Sequence, residues 1–151
     1  METKYGKYLI TELKQKEGGP WEPAYRGDEL QEVLYLDDNV LKGAFYVDTA
    51  WFFPAMVIQD DATDTIKPHA HDYDEVQAVF GTDPENPHDL GGELEFWIDG
   101  EKHIITKSCL IFLPKGLRHG PIYWRRMDRP VFHFVCGTTG KPFEKPVLYH
   151  R

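Results

Sequence analysis

A chain of 151 residues with 41% hydrophobic and 14% aromatic side chains can bury one core, which excludes a disordered chain and leaves little room for two full domains. Its formal charge of -8, from 25 acids against 17 bases, argues against a general grip on nucleic acid or an anionic membrane, because both need a basic excess. The acids crowd the first half: residues 1–75 carry 16 acids and 7 bases, residues 76–151 carry 9 and 10, which reads as a solvated acidic surface.

In chain order, METKYGKYLITELKQKE interleaves charges with apolar residues and shows no apolar h-region or cleavage site, so a cytoplasmic location is expected. Tyr8–Leu13 reads as a first strand. GDELQEVLYLDD, from Gly27 to Asp38, supports either a helical turn or two or a strand at Val33–Leu36. Gly43–Asp48 and Ala55–Gln59 read as strands. The most apolar run, AWFFPAMVI at 50–58, is nine residues broken by Pro54, far short of a bilayer span.

Further strands are expected at Glu75–Phe80, Glu93–Ile98, Lys102–Thr106, Cys109–Leu113 and Val131–Cys136. Thr82–Gly92 (TDPENPHDLGG) is turn-rich and reads as a loop between two of them. Asp99-Gly100 between GELEFWI and EKHIIT marks a hairpin, since this pair favours the type I′ turn that matches strand twist. Cys109 and Cys136 lie in apolar runs and read as reduced core thiols, although two cysteines also permit one disulfide. Many short strands with regular turns imply an all-β sandwich or barrel. With no repeat, low-complexity tract or linker, residues 1–151 read as one domain.

Four residues carry the chemistry: His69, His71, Glu75 and His119. Histidines at i and i+2 on a strand share a face, with Cα atoms about 7 Å apart. Neutral imidazoles at that spacing suit one divalent ion. Glu75 follows the polar turn Asp72-Tyr73-Asp74 and can return a carboxylate to the same centre. His119 follows the turn Pro114-Lys115-Gly116 and can bring a third imidazole.

On these residues the chain resembles the cupin superfamily. HAHDYDE with Gly81 is similar to that family's first motif, and LPKGLRH, with Pro114, Gly116 and His119, to its second. The resemblance implies a double-stranded β-helix (jelly-roll barrel) with a motif core at 60–137 and flanking strands at 1–59, extra N-terminal strands among them, and at 138–151. It implies that His69, His71, Glu75 and His119 bind one metal, and that the protein is a homodimer. Thr63 and Ser108 stand where the motifs begin with glycine, Tyr123 where the second often closes with asparagine, and the spacing from Glu75 to Gly81 is one residue short. GTDPENPHDLGGELEFWIDGEKH and MDRPVFHF look like parts of a small, largely uncharacterised bacterial cupin group.

Four ligands on an octahedral ion leave up to two open positions, and Fe, Mn, Ni and Zn all suit such a set. Candidates around the metal are Gln77, on the inward face with Glu75; His133, inward or outward on its strand; and Tyr73 and Tyr123, which flank the motifs. Trp97, Phe112, Phe132 and Phe134 supply bulk for core, dimer interface or pocket. Arg118, Arg125, Arg126 and Arg129 form either an anion-attracting mouth or a solvated rim. The leading expectation is a metal-dependent enzyme on a small anionic or aromatic molecule, of dioxygenase type or of isomerase, lyase or decarboxylase type. The alternatives are a non-catalytic module that binds a small ligand and a structural barrel. No nucleic-acid or membrane partner is expected.

Overall fold

Period-two alternation of burial runs through Tyr46–Phe52, Cys109–Leu113 and Val131–Gly137, and the fold follows from which strands can keep it. The computed structural model describes residues 3–14, 27–59 and 66–140. Among these lie β1 (Leu30–Leu36), β2 (Tyr46–Phe52), β3 (Glu75–Phe80), β4 (Asp89–Ile98), β5 (Glu101–Lys107), β6 (Cys109–Leu113), β7 (His119–Met127) and β8 (Val131–Gly137). They form a five-stranded sheet, order β1-β2-β8-β3-β6, and a three-stranded sheet, order β5-β4-β7. Every pairing is antiparallel. From β3 onward the chain crosses between sheets at each connection except the β4–β5 hairpin, which is jelly-roll topology. The all-β barrel with extra N-terminal strands is therefore observed, with β1 and β2 preceding the motif region.

The core lies between the sheets. Ala50, Phe52, Val79, Ile111, Leu113 and Val131 face inward from one sheet, and Leu90, Leu94, Phe96, Trp124 and Met127 from the other. Burying each large side chain contributes roughly 1.5–3 kcal/mol, the main force closing the sandwich. The β4–β5 hairpin turns on Asp99 (φ 45°) and Gly100 (φ 80°), the two positive φ values that a type I′ turn requires.

Several expected elements differ. Tyr8–Leu13 is not a strand: a 3₁₀ turn at Gly6–Tyr8 replaces its start. Tyr8, Leu9 and Leu13 are exposed. Ala55–Gln59 is not a strand either, because Pro54 lacks an N–H, favours the first turn of a helix and opens a 3₁₀ turn at Pro54–Met56. The ambiguous Gly27–Asp38 segment resolves as strand β1, bulged between Glu32 and Leu34. The expected loop at Thr82–Gly92 ends early, since β4 begins at Asp89 and runs through Gly91-Gly92.

Strand β7 was absent from the expectations. It carries Gly120-Pro121 and two arginines, which break its alternation. Against β4, Ile98 pairs with His119 but Phe96 pairs with Ile122, so β7 holds one extra residue over that interval. The extra residue reverses the phase of the strand: His119 faces inward, and beyond the irregularity Ile122 and Trp124 do so.

Ser108, which stands in place of a motif glycine, has a structural task of its own. Its Oγ accepts from the Gly81 N–H (3.0 Å) and donates to the Pro87 carbonyl (2.7 Å). Its own N–H donates to the His88 carbonyl (2.9 Å). One side chain thus ties the end of β3 to the following loop and to the start of β6. Thr63 lies outside the described residues.

Candidate metal centre

Backbone pairing brings the two motifs together. His69 and His119 form an antiparallel bridge in which each N–H donates to the other's carbonyl, at 2.9 and 2.8 Å. The Gly116 N–H donates to the His71 carbonyl (2.9 Å), and the Lys115 N–H donates to Asp74 Oδ1 (2.8 Å). These bonds stitch the turn after His71 to the turn before His119.

The three imidazoles converge, with one ligand atom from each of His69, His71 and His119 lying within 4.8 Å of the others. Glu75 adjoins them: its Oε2 is 3.2 Å from His71 Nε2 and its Oε1 is 3.7 Å from His119 Nε2. His69 Nδ1 donates to the Lys67 carbonyl (2.8 Å) and His119 Nδ1 to the Leu117 carbonyl (3.0 Å). A carbonyl only accepts, so each Nδ1 carries the proton and each Nε2 keeps its lone pair for a cation. Gln77 Nε2 donates to Glu75 Oε1 (2.7 Å) and orients the carboxylate. The Tyr73 ring stacks on His71 at 4.8 Å, with Gly137 leaving room beneath it, and Phe96 stacks on His119 at 6.4 Å.

The electrostatics suit a metal ion. Burial pushes His71 down to about 4, with His69 and His119 nearby adding to the effect. Burial likewise pushes His119 down to about 4, against the bond to Leu117, and lowers His69. All three rings are neutral ligands at neutral pH. Burial raises Glu75 to about 7, opposed by the Gln77 hydrogen bond. Glu75 is 1% exposed, and neutral histidines offer it no positive charge. His119 Nε2 is buried and has no hydrogen-bond partner among the described residues. A buried acid beside inward-facing lone pairs is what one divalent cation would satisfy.

Beside this centre a cavity of about 50 Å³, partly open to solvent, runs between the sheets. Gln77 and Phe96, which touch Glu75 and His119 respectively, are also part of its wall. Phe52, Ile111, Ile122 and Trp124 line it too, and His133 faces into it. Sequence reading did not assign Phe52, Ile122 or Trp124 to a pocket. The alternation of Ile122 and Trp124 was the available signal, obscured by the neighbouring Gly120-Pro121.

The structure therefore brings Gln77, Tyr73 and His133 to the centre or its cavity and places Tyr123 elsewhere. Tyr123 lies opposite Glu95 on the far side of the three-stranded sheet, under the Arg125 guanidinium 4.2 Å from its ring. The phase reversal in β7 puts it there. Three of the four arginines pair with carboxylates: Arg125 with Glu95, Arg126 with Asp128 and Arg129 with Asp89. Cys109 and Cys136 are free thiols, both raised by burial. No helix among the described residues is long and apolar enough to cross a membrane.

His133 has a measurable signature. Its Nδ1 donates to the Ala78 carbonyl (2.9 Å), and its ring stacks on Phe52 at 4.6 Å. Burial pushes its pKa down to about 4, partly offset by the Ala78 bond. The unfolded chain takes up this proton near pH 6.5, whereas the folded protein resists until about 4. The stabilisation is therefore full above 6.5 and drains as pH falls towards 4, by about 3 kcal/mol in total. In urea unfolding between pH 7.5 and 4.5, His133→Gln is expected to lose less stability than wild type. Parallel pH profiles would place the group's titration elsewhere.

No protein-family model matches the sequence, and no curated protein matches it. Solved structures do resemble it. An oxalate oxidase solved in complex with glycolate is 15% identical, with a TM-score of 0.52 over 91% of this chain and 62% of that one. An RmlC-like cupin from Shewanella frigidimarina is 18% identical over 74% of this chain and 78% of that one, with a TM-score of 0.43. The DMSP lyase DddQ from Ruegeria pomeroyi is 22% identical over 70% and 43%, with a TM-score of 0.40. The chain thus spans less than two thirds of the oxalate oxidase it matches best in shape among these three. The eight described strands superpose on that structure, and the likeness is one of fold, an antiparallel jelly roll.

Proposed function

We propose that this chain is a metal-dependent cupin enzyme acting on a small molecule at a mononuclear centre held by His69, His71, His119 and Glu75. The observation that carries the reading is the convergence of the three imidazoles within 4.8 Å, two of them with the Nε2 lone pair aimed inward by backbone carbonyls. When bound, a divalent ion in this set supplies Lewis acidity and open coordination positions. Iron, manganese, nickel and zinc all fit the donors. With one carboxylate and three neutral rings the centre keeps a net charge near +1, which favours an anionic or enolisable head group. Gln77 holds the carboxylate, and Tyr73 backs His71. The chemistry is of dioxygenase type or of isomerase, lyase or decarboxylase type. Oxalate oxidase, which shares the fold, was solved with glycolate; the proposal for this chain rests on its own ligand set. Metal content measured on untagged protein purified without chelators tests it, with about one equivalent per chain expected.

A ligand-binding module without turnover is the second reading. The placement of Tyr123 behind the sheet favours it, because that removes one group able to move a proton. Substrate turnover by the metal-bearing protein separates the two. The two free thiols support a reducing, cytoplasmic setting.

We further propose a homodimer through the outer face of the five-stranded sheet. Val76, Phe80, Leu110, Phe112, Phe132, Phe134 and Trp51 alternate with the inward residues, and no charged residue interrupts β3, β6 or β8 on that side. Leu110 and Phe112 are 64% and 60% exposed. An apolar face about 20 Å across is what an isologous interface needs to cover. Light scattering is expected to give twice the 17.5 kDa chain mass, and Leu110→Asp with Phe112→Asp to halve it. A wild-type monomer would exclude the interface.

A further inference from the structure

The cavity beside the metal centre has a chemical character narrower than the ligand set alone implies. Of its twelve lining residues ten are apolar, and the other two, Gln77 and His133, carry no charge. No lysine, arginine, aspartate or glutamate lines it among the described residues. His133 donates its Nδ1 proton to the Ala78 carbonyl and stacks on Phe52, so it stands as a neutral ring in the wall. No cation in that wall compensates a buried anion, and burying a carboxylate without a cation or several donors is strongly unfavourable.

The metal centre has the opposite character. Its net positive charge would attract one oxygen-bearing head group. Through Gln77 and Phe96, the centre and the cavity share a wall. A ligand whose head reaches the metal therefore sends the rest of itself along Phe52, Leu94, Ile111 and Trp124.

Resting on the metal-centred reading above, we propose that the site takes a molecule with a single oxygen-bearing head group and an uncharged, apolar body, and that the cavity wall rejects a second charge on that body. Small dicarboxylates are poor ligands on this account. Each added methylene that enters the cavity tightens binding about threefold to fourfold.

The test uses calorimetry on the full chain, with metal content measured on the same sample. Propionate, butyrate and hexanoate are the chain-length probes. Adipate is the charge probe, because it is hexanoate with a second carboxylate. Affinity is expected to climb along the series, with adipate at least tenfold weaker than hexanoate. Ile111→Phe narrows the cavity and is expected to stop the climb at a shorter acid while metal content holds. Should that variant fail to fold, the wild-type series still decides. A flat series, or adipate equal to hexanoate, on metal-bearing protein overturns the cavity inference and leaves the metal reading standing. The same climb on protein that holds no metal overturns the metal reading instead.

Discussion

Replacing His69 and His71 together by alanine is expected to abolish metal retention while the barrel still folds. Both rings lie within 4.8 Å of His119 at their ligand atoms, so the double variant leaves one imidazole and one carboxylate. Two donors cannot hold a divalent ion through purification, and retained metal should fall from about one equivalent to background. The fold should persist because the reciprocal bonds between positions 69 and 119 are made by backbone and survive the substitution. Gln77→Leu offers a graded comparison. It removes only the bond that orients Glu75, and loss of such an orienting partner typically weakens metal affinity 10–100-fold, roughly, rather than abolishing it. Unchanged stoichiometry in the double variant would mean that the ion sits elsewhere. Mass spectrometry for metal with circular dichroism for fold is the pair of measurements required.

Gly81→Ala is expected to produce the largest loss of stability of any single methyl addition considered. A Cβ at Gly81 would lie 1.7 Å from the Asp89 carbonyl oxygen, 2.8 Å from its carbon and 3.0 Å from the Leu90 carbonyl carbon. All three are backbone atoms, so no rotamer change relieves the clash. The Gly81 N–H is also held by Ser108, which in turn holds Pro87, so the strand end cannot simply slide away. A cost above about 4 kcal/mol follows, among the largest that point substitutions cause. For a chain of this length that is a fall in Tm of roughly 10 °C or more. Gly27→Ala is the control: nothing among the described residues lies within 4 Å of its Cβ, and a change within about 0.5 kcal/mol is expected. Equal melting temperatures for the two variants would show that β3 and β4 are packed less closely than described.

How much of this was legible in the sequence depended on local rules holding strand by strand. β3 and β6 fall on their expected limits, Glu75–Phe80 and Cys109–Leu113; β6 alternates between a buried and an outward face, and β3 is bounded by the turns on either side of it. β8 extends its expectation by one residue, to Gly137. Tyr8–Leu13 has apolar residues, yet Tyr8, Leu9 and Leu13 stay exposed, and that depends on tertiary structure rather than on local pattern. The metal ligands were legible because short spacings and turn residues carry most of their geometry. Tyr123 was not. Counting in twos from His119 places it on the metal face, and only the extra residue around Gly120-Pro121 sends it to the other side. The cavity wall draws on β2, β3, β4, β6, β7 and β8 together, so no local window of sequence could have shown it.

The bridge between His69 and His119 joins points fifty residues apart in the chain. An ion held by those two side chains would close a covalent-like loop spanning β3 through β6. Such a clasp acts as a reversible staple on the folded chain, adding stability by mass action as free metal rises. It also joins the chain at a contact of long sequence separation, which costs more loop-closure entropy than a local one. Loading the centre would therefore report on completion of the barrel. Proteolytic nicking of the 66–75 stretch would be the first sign that the staple had been withdrawn.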